Sequence, residues 1–482
     1  MNKTTKRIIT LLLAFILAVV PSIAVLSSCN KTTDDDQKQG NDIKDDGERA
    51  PNIPDDLKFE GKTFSIWCGS AGKSIIANEE TGDIINDLTY QRNKDIESRF
   101  GVKLNFVDSG FETDGGAQSA ATDTIRYYIQ ANDNTYQAYM QVQHSGMPVL
   151  INDHFFIDWN ELPYVDLTEP WWYRNILDDI TFGNKVYTMT GDYANYISEI
   201  DVLLFNKDIF DELGLEYPYQ DVKDGTWTWD KFAELVNKGA KDLNGDGQMD
   251  PKVDRWGLAG WGYELDFALV LGLGYQPLLK DENQMPILNS DMEKSNDIYQ
   301  KVVDLFKDGK HAHSEFQNYG LQMGMFSQGR TMFYDCFMAQ IPYYSEVEFD
   351  FGIVPFPKAD KDSEYVSRSS NMTGLTYVPV TNNDLEMTGA ILEEMAYRSY
   401  KDITPVYFDT VLTVRNTRDE ESAEMLPIIR DSATLYYDGF APSIIGMVKA
   451  KNNTFSADYA ANLSTYQKNL DGIKKSIEAP KY

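Results

Sequence analysis

The stretch at residues 197–214, ISEIDVLLFNKDIFDELG, constrains the fold more than any other part of the chain. Residues 200–205 form a nearly unbroken apolar run with β-branched and aromatic members, a pattern typical of a strand covered on both faces. Asn206 or Asp208 can cap the helix that follows, and Gly214 can end it. A buried strand that leads directly into a helix predicts an α/β protein.

The chain before this stretch repeats the alternation of strand and helix. Residues 62–68 and 102–107 alternate as strands, and the helix predicted between them ends at Gly101. Strand, helix and strand in such close succession predict a parallel sheet. A chain of 482 residues is too long for a single hydrophobic core, so we expect about two or three domains.

The first 56 residues contain two segments that do not belong to the folded body. A basic start, an apolar run at residues 8–26 and two serines before Cys29 resemble a bacterial lipoprotein signal. We therefore predict a signal peptide at 1–28 and a lipid anchor on Cys29, with an uncleaved membrane anchor as the alternative. Residues 29–56, rich in Asp, Lys, Gly, Asn and Pro, predict a flexible tether.

Charge and motif content narrow the possible partners. The net charge of −31 disfavours nucleic acid and anionic lipid surfaces. We find no phosphate-binding Gly loop, nucleophile elbow or zinc-peptidase helix, and we expect no organic cofactor. After Cys29 only Cys68 and Cys336 remain, and we expect both to be unpaired and partly buried, with a disulfide as the alternative.

Two later segments carry the clearest family resemblance. Residues 326–335 read as a helix ending at a Gly-basic pair before a short strand, and residues 349–357 as a strand closed by Pro-x-Pro. This region resembles the maltose-binding-protein-like sugar receptors of ABC importers, and the resemblance is strongest over residues 199–380. It implies a two-lobed periplasmic-binding-protein-like (type II) fold with three hinge crossings. It also implies a monomer without enzymatic activity that binds a sugar or oligosaccharide between its lobes and delivers it to permease subunits.

The resemblance also suggests domain boundaries and a location. The N-terminal lobe is predicted to comprise residues 57–200 and 372–432, and the C-terminal lobe residues 201–371 and 433–482, with the third crossing at 435–440. The protein is expected at the outer face of the cell membrane, held by its lipid anchor, or in the periplasm. Two alternatives remain open: a surface glycoside hydrolase or lyase, and a glycan-binding lipoprotein without a transport role.

Candidate ligand-binding residues follow from the positions of the predicted strand ends. Ligands of doubly wound sheets gather outside the carboxyl ends of strands, and sugars need aromatic platforms together with planar or charged polar groups. For Glu199 the resemblance implies a carboxylate that faces the ligand, although a solvated strand end is the alternative. Trp171 and Trp172 fall in a predicted surface connection. The candidate residues are Trp67, Gln143, Asp192, Tyr193, Asn195, Glu199, Trp261, Asp335, Phe337 and Asn371.

Residues 242–250 have the spacing of a calcium loop. Oxygen ligands fall at alternate positions and a glycine stands at the sixth place, where a tight turn is required. Val253 occupies the twelfth position, so no bidentate Glu closes the coordination sphere, although Asp254 can substitute for it. A structural Ca²⁺ and an empty Asx-rich turn both fit the pattern. The candidate ligands are Asp242, Asn244, Asp246, Gln248 and Asp250.

Overall fold

The protein is an α/β structure built on two separate main sheets. The computed structural model describes residues 49–111, 115–142, 151, 153–194, 196–315, 318–412, 420–435 and 438–478. The strands are β1 Thr63–Cys68, β2 Lys103–Asp108, β3 Ala138–Val142, β4 Asp201–Asn206, β5 Trp256–Trp261, β6 Leu278–Lys280, β7 Pro286–Leu288, β8 Ala312–Glu315, β9 Thr331–Phe337, β10 Phe351–Val354, β11 Ser367–Arg368, β12 Gly374–Tyr377 and β13 Ala433–Thr434.

Helices cover these sheets and connect their strands. The α-helices are α1 Ile84–Phe100, α2 Gly115–Gln130, α3 Arg174–Ile180, α4 Lys207–Leu213, α5 Tyr219–Lys223, α6 Trp229–Gly239, α7 Gly262–Gly272, α8 Met292–Lys307, α9 Tyr319–Ser327, α10 Leu385–Arg398, α11 Thr404–Leu412, α12 Glu420–Asp431, α13 Ile444–Ala450 and α14 Phe455–Glu478. None of these described helices combines the length and the apolarity that a membrane span requires.

The first main sheet has the strand order β12-β3-β1-β2. Strand β1 pairs in parallel with β2 and β3, and β12 is antiparallel to β3. Helix α1 begins after Asp83, whose side chain accepts a hydrogen bond from the backbone N–H of Asn86, and it ends at Gly101 in the left-handed conformation (φ 67°). The parallel strand–helix–strand unit predicted from the sequence is confirmed.

The second main sheet has the strand order β10-β4-β9-β5-β8. Every residue of β4 is buried, so the apolar run is a strand covered on both faces, as predicted. Asn206 rather than Asp208 caps α4, because the Asn206 side chain accepts a hydrogen bond from the backbone N–H of Ile209 at 3.2 Å. Gly214 ends the helix with φ 62°.

Two chain segments run antiparallel between the main sheets. Met189 bridges to Thr376, and Ile200 bridges to Ser369. We call residues 189–200 the outgoing segment, because it leads into β4, and residues 369–376 the returning segment, because it leads from β11 into β12. The antiparallel bridges hold the two segments side by side.

Helix α12 lies against the second sheet. The Ser422 hydroxyl contacts the Tyr219 hydroxyl of α5 at 2.9 Å and accepts from the backbone N–H of Ile353 in β10 at 3.2 Å. The predicted N-terminal lobe extends to residue 432 and therefore includes α12. In the structure, the apolar face of α12 is instead buried against β10, a strand of the second sheet, and against α5. The lobe boundaries themselves stay predictions.

Both remaining cysteines lie inside the protein. Cys68 ends β1 and Cys336 stands near the end of β9, and each is buried and unpaired. The prediction of free thiols is confirmed. Burial raises the pKa of both thiols, so neither is a ready nucleophile.

Candidate functional site

The carboxyl edge of the second sheet gathers strand ends from distant parts of the chain. Strands β5, β8 and β9 are mutually parallel, so Trp261, Glu315 and Phe337 end them at the same edge. Strand β4 runs antiparallel to β9 and begins at this edge, where Asp201 is opposite Phe337. Parallel strands with a helix after each end make this edge the expected place for a ligand.

A buried ionic cluster lies at this edge. The Nη1 atom of Arg368 in β11 lies 2.8 Å from Oδ2 of Asp201, and the same atom also donates to Glu264 in the first turn of α7. Neither Arg368 nor Asp201 has any exposed side-chain surface. Among the described residues, the Nε and Nη2 atoms of Arg368 and the Oδ1 atom of Asp201 have no hydrogen-bond partner, which is uncommon for buried polar atoms.

Two more carboxyl groups extend the cluster. Asp335 in β9 has a pKa raised well above its usual value by burial and by the charges of Asp201 and Asp266. Burial raises the pKa of Asp266 in α7 to about 8, although the hydroxyl of Ser314 donates to this carboxyl. For Asp201, burial outweighs the attraction of Arg368 and raises the pKa to about 6. The cluster therefore holds protons that exposed carboxyl groups would release.

Gly260 makes room for this arrangement. A Cβ atom at Gly260 would lie 2.8 Å from Cβ of Asp335 and 2.8 Å from Cδ2 of Leu265. The missing side chain lets α7 pack closely over β5 and brings Asp266 near the sheet. A glycine in the interior of a strand is a sequence sign of such a close approach.

Aromatic and amide groups stand next to the cluster. The rings of Trp261 and Tyr263 are 6.0 Å apart at an interplanar angle of 46°, and both side chains are half-buried, as is Phe337. The Nδ2 atom of Asn371 in the returning segment donates to the Tyr263 hydroxyl. We call the side chains of Trp261, Tyr263 and Phe337 the aromatic mouth. The guanidinium of Arg368 lies 5.7 Å from the centre of the Tyr263 ring, so Tyr263 connects the aromatic mouth to the ionic cluster.

The structure thus brings four of the sequence candidates to one edge, namely Trp261, Asp335, Phe337 and Asn371. Glu199 is half-buried in the outgoing segment, and its backbone carbonyl accepts from the backbone N–H of Ser370 in the returning segment at 2.8 Å. Burial is the main cause of the raised pKa of Tyr407, and the charge of Glu199 raises it further. Glu199 therefore lies beside the paired segments that join the two sheets.

Three other candidates make internal contacts. Trp67 is 4% exposed and packs against Phe111 and Tyr139. The hydroxyl of Tyr193 donates to Thr376 Oγ1 at 2.7 Å, and Oδ1 of Asp192 accepts from Tyr173 and Thr404 at 2.7 and 2.8 Å. Nothing tests a ligand role for these residues, which stays a prediction. Gln143 and Asn195, like Cys29, lie outside the described residues.

Trp171 and Trp172 belong to the core. The prediction of a surface connection is wrong here, because both indoles are almost fully buried. Their Nε1–H groups donate to the two carboxylate oxygens of Glu393, each at 2.9 Å. Burial raises the pKa of Glu393 to about 7. Glu393 lies on α10, which packs against this part of the chain. Its carboxylate accepts from both indole N–H groups, and their burial is favourable for that reason.

The sequence analysis missed Tyr263 of the aromatic mouth and four residues of the cluster, namely Asp201, Glu264, Asp266 and Arg368. One signal was available, because Asp201 is a charge within an otherwise apolar strand. Such a residue is rarely buried without a partner. Its partner Arg368 is 167 positions away along the chain, and no local pattern connects the two.

The predicted calcium loop has its oxygens turned towards its own backbone. Asp242 accepts from the backbone N–H groups of Gly245 and Gly247, each at 2.7 Å, while Asn244 and Asp246 accept from residues two positions later. In the described part of the chain, no group of three or more His, Cys, Asp or Glu side chains is arranged to hold a metal ion. Calcium binding therefore stays a prediction.

Comparison with known proteins identifies the family and the fold. The model for the bacterial extracellular solute-binding protein family matches residues 96–384. The structure is similar to UspC from M. tuberculosis (TM-score 0.56, 11% identity, covering 85% of this chain and 100% of that one). It is also similar to a sugar transporter from Rhizobium etli in an open conformation (0.53, 15%, 87% and 100%). A third similar structure is a cyclo/maltodextrin-binding protein complexed with maltotetraose (0.53, 11%, 88% and 100%).

At such low identities these likenesses bear on the fold alone. They confirm the predicted two-lobed α/β architecture. No curated protein matches the chain in sequence.

Proposed function

Because the chain belongs to the bacterial extracellular solute-binding proteins, we propose that it binds a sugar or oligosaccharide between its lobes and delivers it to an ABC transporter. The family consists of binding proteins rather than enzymes, which removes the hydrolase or lyase alternative. The resemblance inferred from residues 326–335 and 349–357 is confirmed at the level of the family. The ligand class and the delivery step are the parts of this proposal that need testing.

The observation that carries the sugar assignment is the aromatic mouth at the carboxyl edge of the second sheet. The half-buried rings of Trp261 and Tyr263, 6.0 Å apart, offer flat apolar surface for the C–H faces of a sugar ring. The amide of Asn371 and the Tyr263 hydroxyl add donors and acceptors for sugar hydroxyls. One similar structure carries maltotetraose, which is consistent with this ligand class.

The returning segment supports a position between the lobes. Asn371 comes two residues after Ser369, which bridges to Ile200 beside the second sheet, and three before Gly374, which pairs with Val142 of the first sheet. A ligand that contacts Asn371 therefore lies close to both sheet edges. Contacts made only when the two edges approach would shift the protein towards a closed form, which the transporter would then recognise.

The lipid anchor is a separate part of the proposal and rests on residues 1–29 of the sequence. A diacylated Cys29 followed by the tether at 29–56 would keep the receptor on the outer face of the membrane, near the permease. Growth of a bacterial host expressing the chain with an alkyne-bearing fatty acid should label the wild type and leave Cys29→Ala unlabelled. Equal labelling of both would contradict the anchor.

A glycan screen tests the binding function. Purified protein is heated with individual mono- and oligosaccharides, and at least one glycan should raise the unfolding temperature. Small-angle scattering with that glycan should then show a smaller radius of gyration than the free protein. A panel in which no glycan stabilises the protein would contradict sugar binding, and stabilisation without compaction would contradict closure for delivery.

A further inference from the structure

The buried cluster at the carboxyl edge of the second sheet carries more negative than positive charge. Asp201 and Glu264 both bond to Arg368, whereas Asp266 accepts only from the neutral Ser314 hydroxyl in the contacts that the structure describes. For Asp335, the nearby charges are those of Asp201 and Asp266, and both oppose its ionisation. Two carboxyl groups of the cluster therefore have no cation beside them within the described residues.

Two oxygen atoms of this cluster also lack hydrogen-bond donors. Within the described part of the chain, Oδ1 of Asp335 and Oδ1 of Asp201 have no partner, although these residues are only 3% and 0% exposed. A buried acceptor without a donor is unfavourable, and more so when it is charged. A group that brought both N–H donors and a positive charge would satisfy the oxygens and balance the cluster. A hydroxyl would bring a donor without the charge.

A bound metal ion matches this cluster less well than an organic cation. The described residues contain no set of three or more His, Cys, Asp or Glu side chains arranged to hold a metal. Burial also keeps protons on these carboxyl groups, since the pKa of Asp266 is about 8 and that of Asp335 is strongly raised. An ammonium group could take the place of those protons.

The cluster lies next to the aromatic mouth where the sugar is proposed to bind. Asp335 is two residues before Phe337 at the end of β9, and Arg368 is 5.7 Å from the Tyr263 ring. We propose that this edge selects a sugar with a free amino group, whose ammonium is held by Asp335 and Asp201. This inference rests on the proposed sugar-binding function and names its ligand class.

Matched pairs of sugars test the inference on the purified full chain. Glucosamine oligosaccharides and their N-acetylated counterparts have the same backbone but differ in charge, and isothermal titration calorimetry gives the Kd of each. We expect the amino form to bind at least about tenfold more tightly, as is usual for a close buried charge pair. If any glycan of the broader panel binds but the amino form has no advantage over its acetylated counterpart, the inference is overturned while sugar binding stands. If no glycan of either set binds, the proposed function itself fails.

Variants locate the preference in the cluster. Asp335→Asn keeps the shape of the side chain but cannot ionise beside an ammonium group, so the preference for the amino form should fall to within about twofold. The unfolding temperature should not fall, because a neutral amide replaces a carboxyl group that burial keeps protonated in the free protein; Asp266→Asn provides a second test should Asp335→Asn not fold. Asp230→Asn is the control, since it makes the same chemical change at an exposed residue in the first turn of α6 that belongs to neither the cluster nor the aromatic mouth. Full retention of the preference in both cluster variants, or its equal loss in the control, overturns the assignment.

Discussion

The Nη1 atom of Arg368 lies 2.8 Å from Oδ2 of Asp201, and both side chains are completely buried. Arg368 immediately precedes the returning segment, whereas Asp201 immediately follows the outgoing segment. The ion pair therefore joins the two segments beside the bridge between Ile200 and Ser369. The ion pair is therefore part of the connection between the two main sheets and also part of the candidate ligand site.

Removing the cation of this pair should destabilise the protein strongly. Arg368→Met would leave Asp201 and Glu264 buried without a counter-charge, and loss of one partner of a buried pair costs about 3–5 kcal/mol. Urea unfolding monitored by circular dichroism measures this free energy. The control is Lys73→Met, because Lys73 is exposed and 4.0 Å from Asp108, and such a surface pair contributes at most about 1 kcal/mol. Equal effects of the two substitutions would argue against the importance of burial.

The free energy of unfolding should fall as the pH rises through the range in which Asp266 ionises. Its pKa is raised from 3.8 to about 8 in the folded protein, so the folded state holds this proton more tightly than the unfolded state does. The resulting stability is fully present below about pH 4 and is lost as the pH approaches about 8. Urea unfolding at several pH values should show a smaller decline for Asp266→Asn. The exposed Asp230→Asn in the first turn of α6 should keep the wild-type slope, and an unchanged slope in both variants would contradict the prediction.

Trp261→Ala should weaken binding of the glycan found in the screen at least about tenfold, which corresponds to about 1.4 kcal/mol. The reason is the loss of a flat apolar platform for the sugar ring. Calorimetry gives the affinity, and the unfolding temperature shows whether the fold is intact. Tyr127→Ala removes a ring that is 70% exposed on α2 and should leave the affinity unchanged. Unaltered binding by Trp261→Ala would place the sugar elsewhere.

Gly260→Ala should destabilise the protein by about 1–3 kcal/mol, because the added methyl group would overpack the contact between β5, α7 and Asp335. Gly446→Ala provides a control of opposite sign. Gly446 lies in α13, where an added Cβ would meet no atom within 4 Å beyond its chain neighbours and the backbone of its own helix. Alanine stabilises a helix interior by about 0.5–1 kcal/mol relative to glycine. Thermal unfolding of both variants compares the two effects. A neutral Gly260→Ala would mean that α7 can shift away from β5 without cost.

Chelation of calcium should lower the unfolding temperature if residues 242–250 hold the ion, because a ligand bound to the folded state stabilises it. Asp246→Ala should remove this sensitivity to the chelator. Asp230→Ala, outside the loop, should keep it. The absence of any change with chelator in the wild-type protein would reject the loop as a metal site.

The local elements of this protein follow from patterns of neighbouring residues in the sequence. The apolar run at residues 200–205 specified a buried strand, and the left-handed conformation of Gly101 and Gly214 was predictable from the glycines that follow their helices. These features depend on neighbouring residues, whose spacing selects helix or strand directly. The family resemblance at residues 326–357 extended this reading to the two-lobed fold.

The contacts between distant side chains, in contrast, depend on how the sheets and helices pack in three dimensions. Asp201 and Arg368 are 167 positions apart, and Glu393 is 222 and 221 positions from Trp171 and Trp172, so sheet pairing and helix packing alone bring these groups together. Burial then makes each contact strongly dependent on its partner, because a polar group removed from water must find a distant donor, acceptor or counter-charge. For this reason strand ends were visible in the sequence, whereas the charges that surround the candidate site were not.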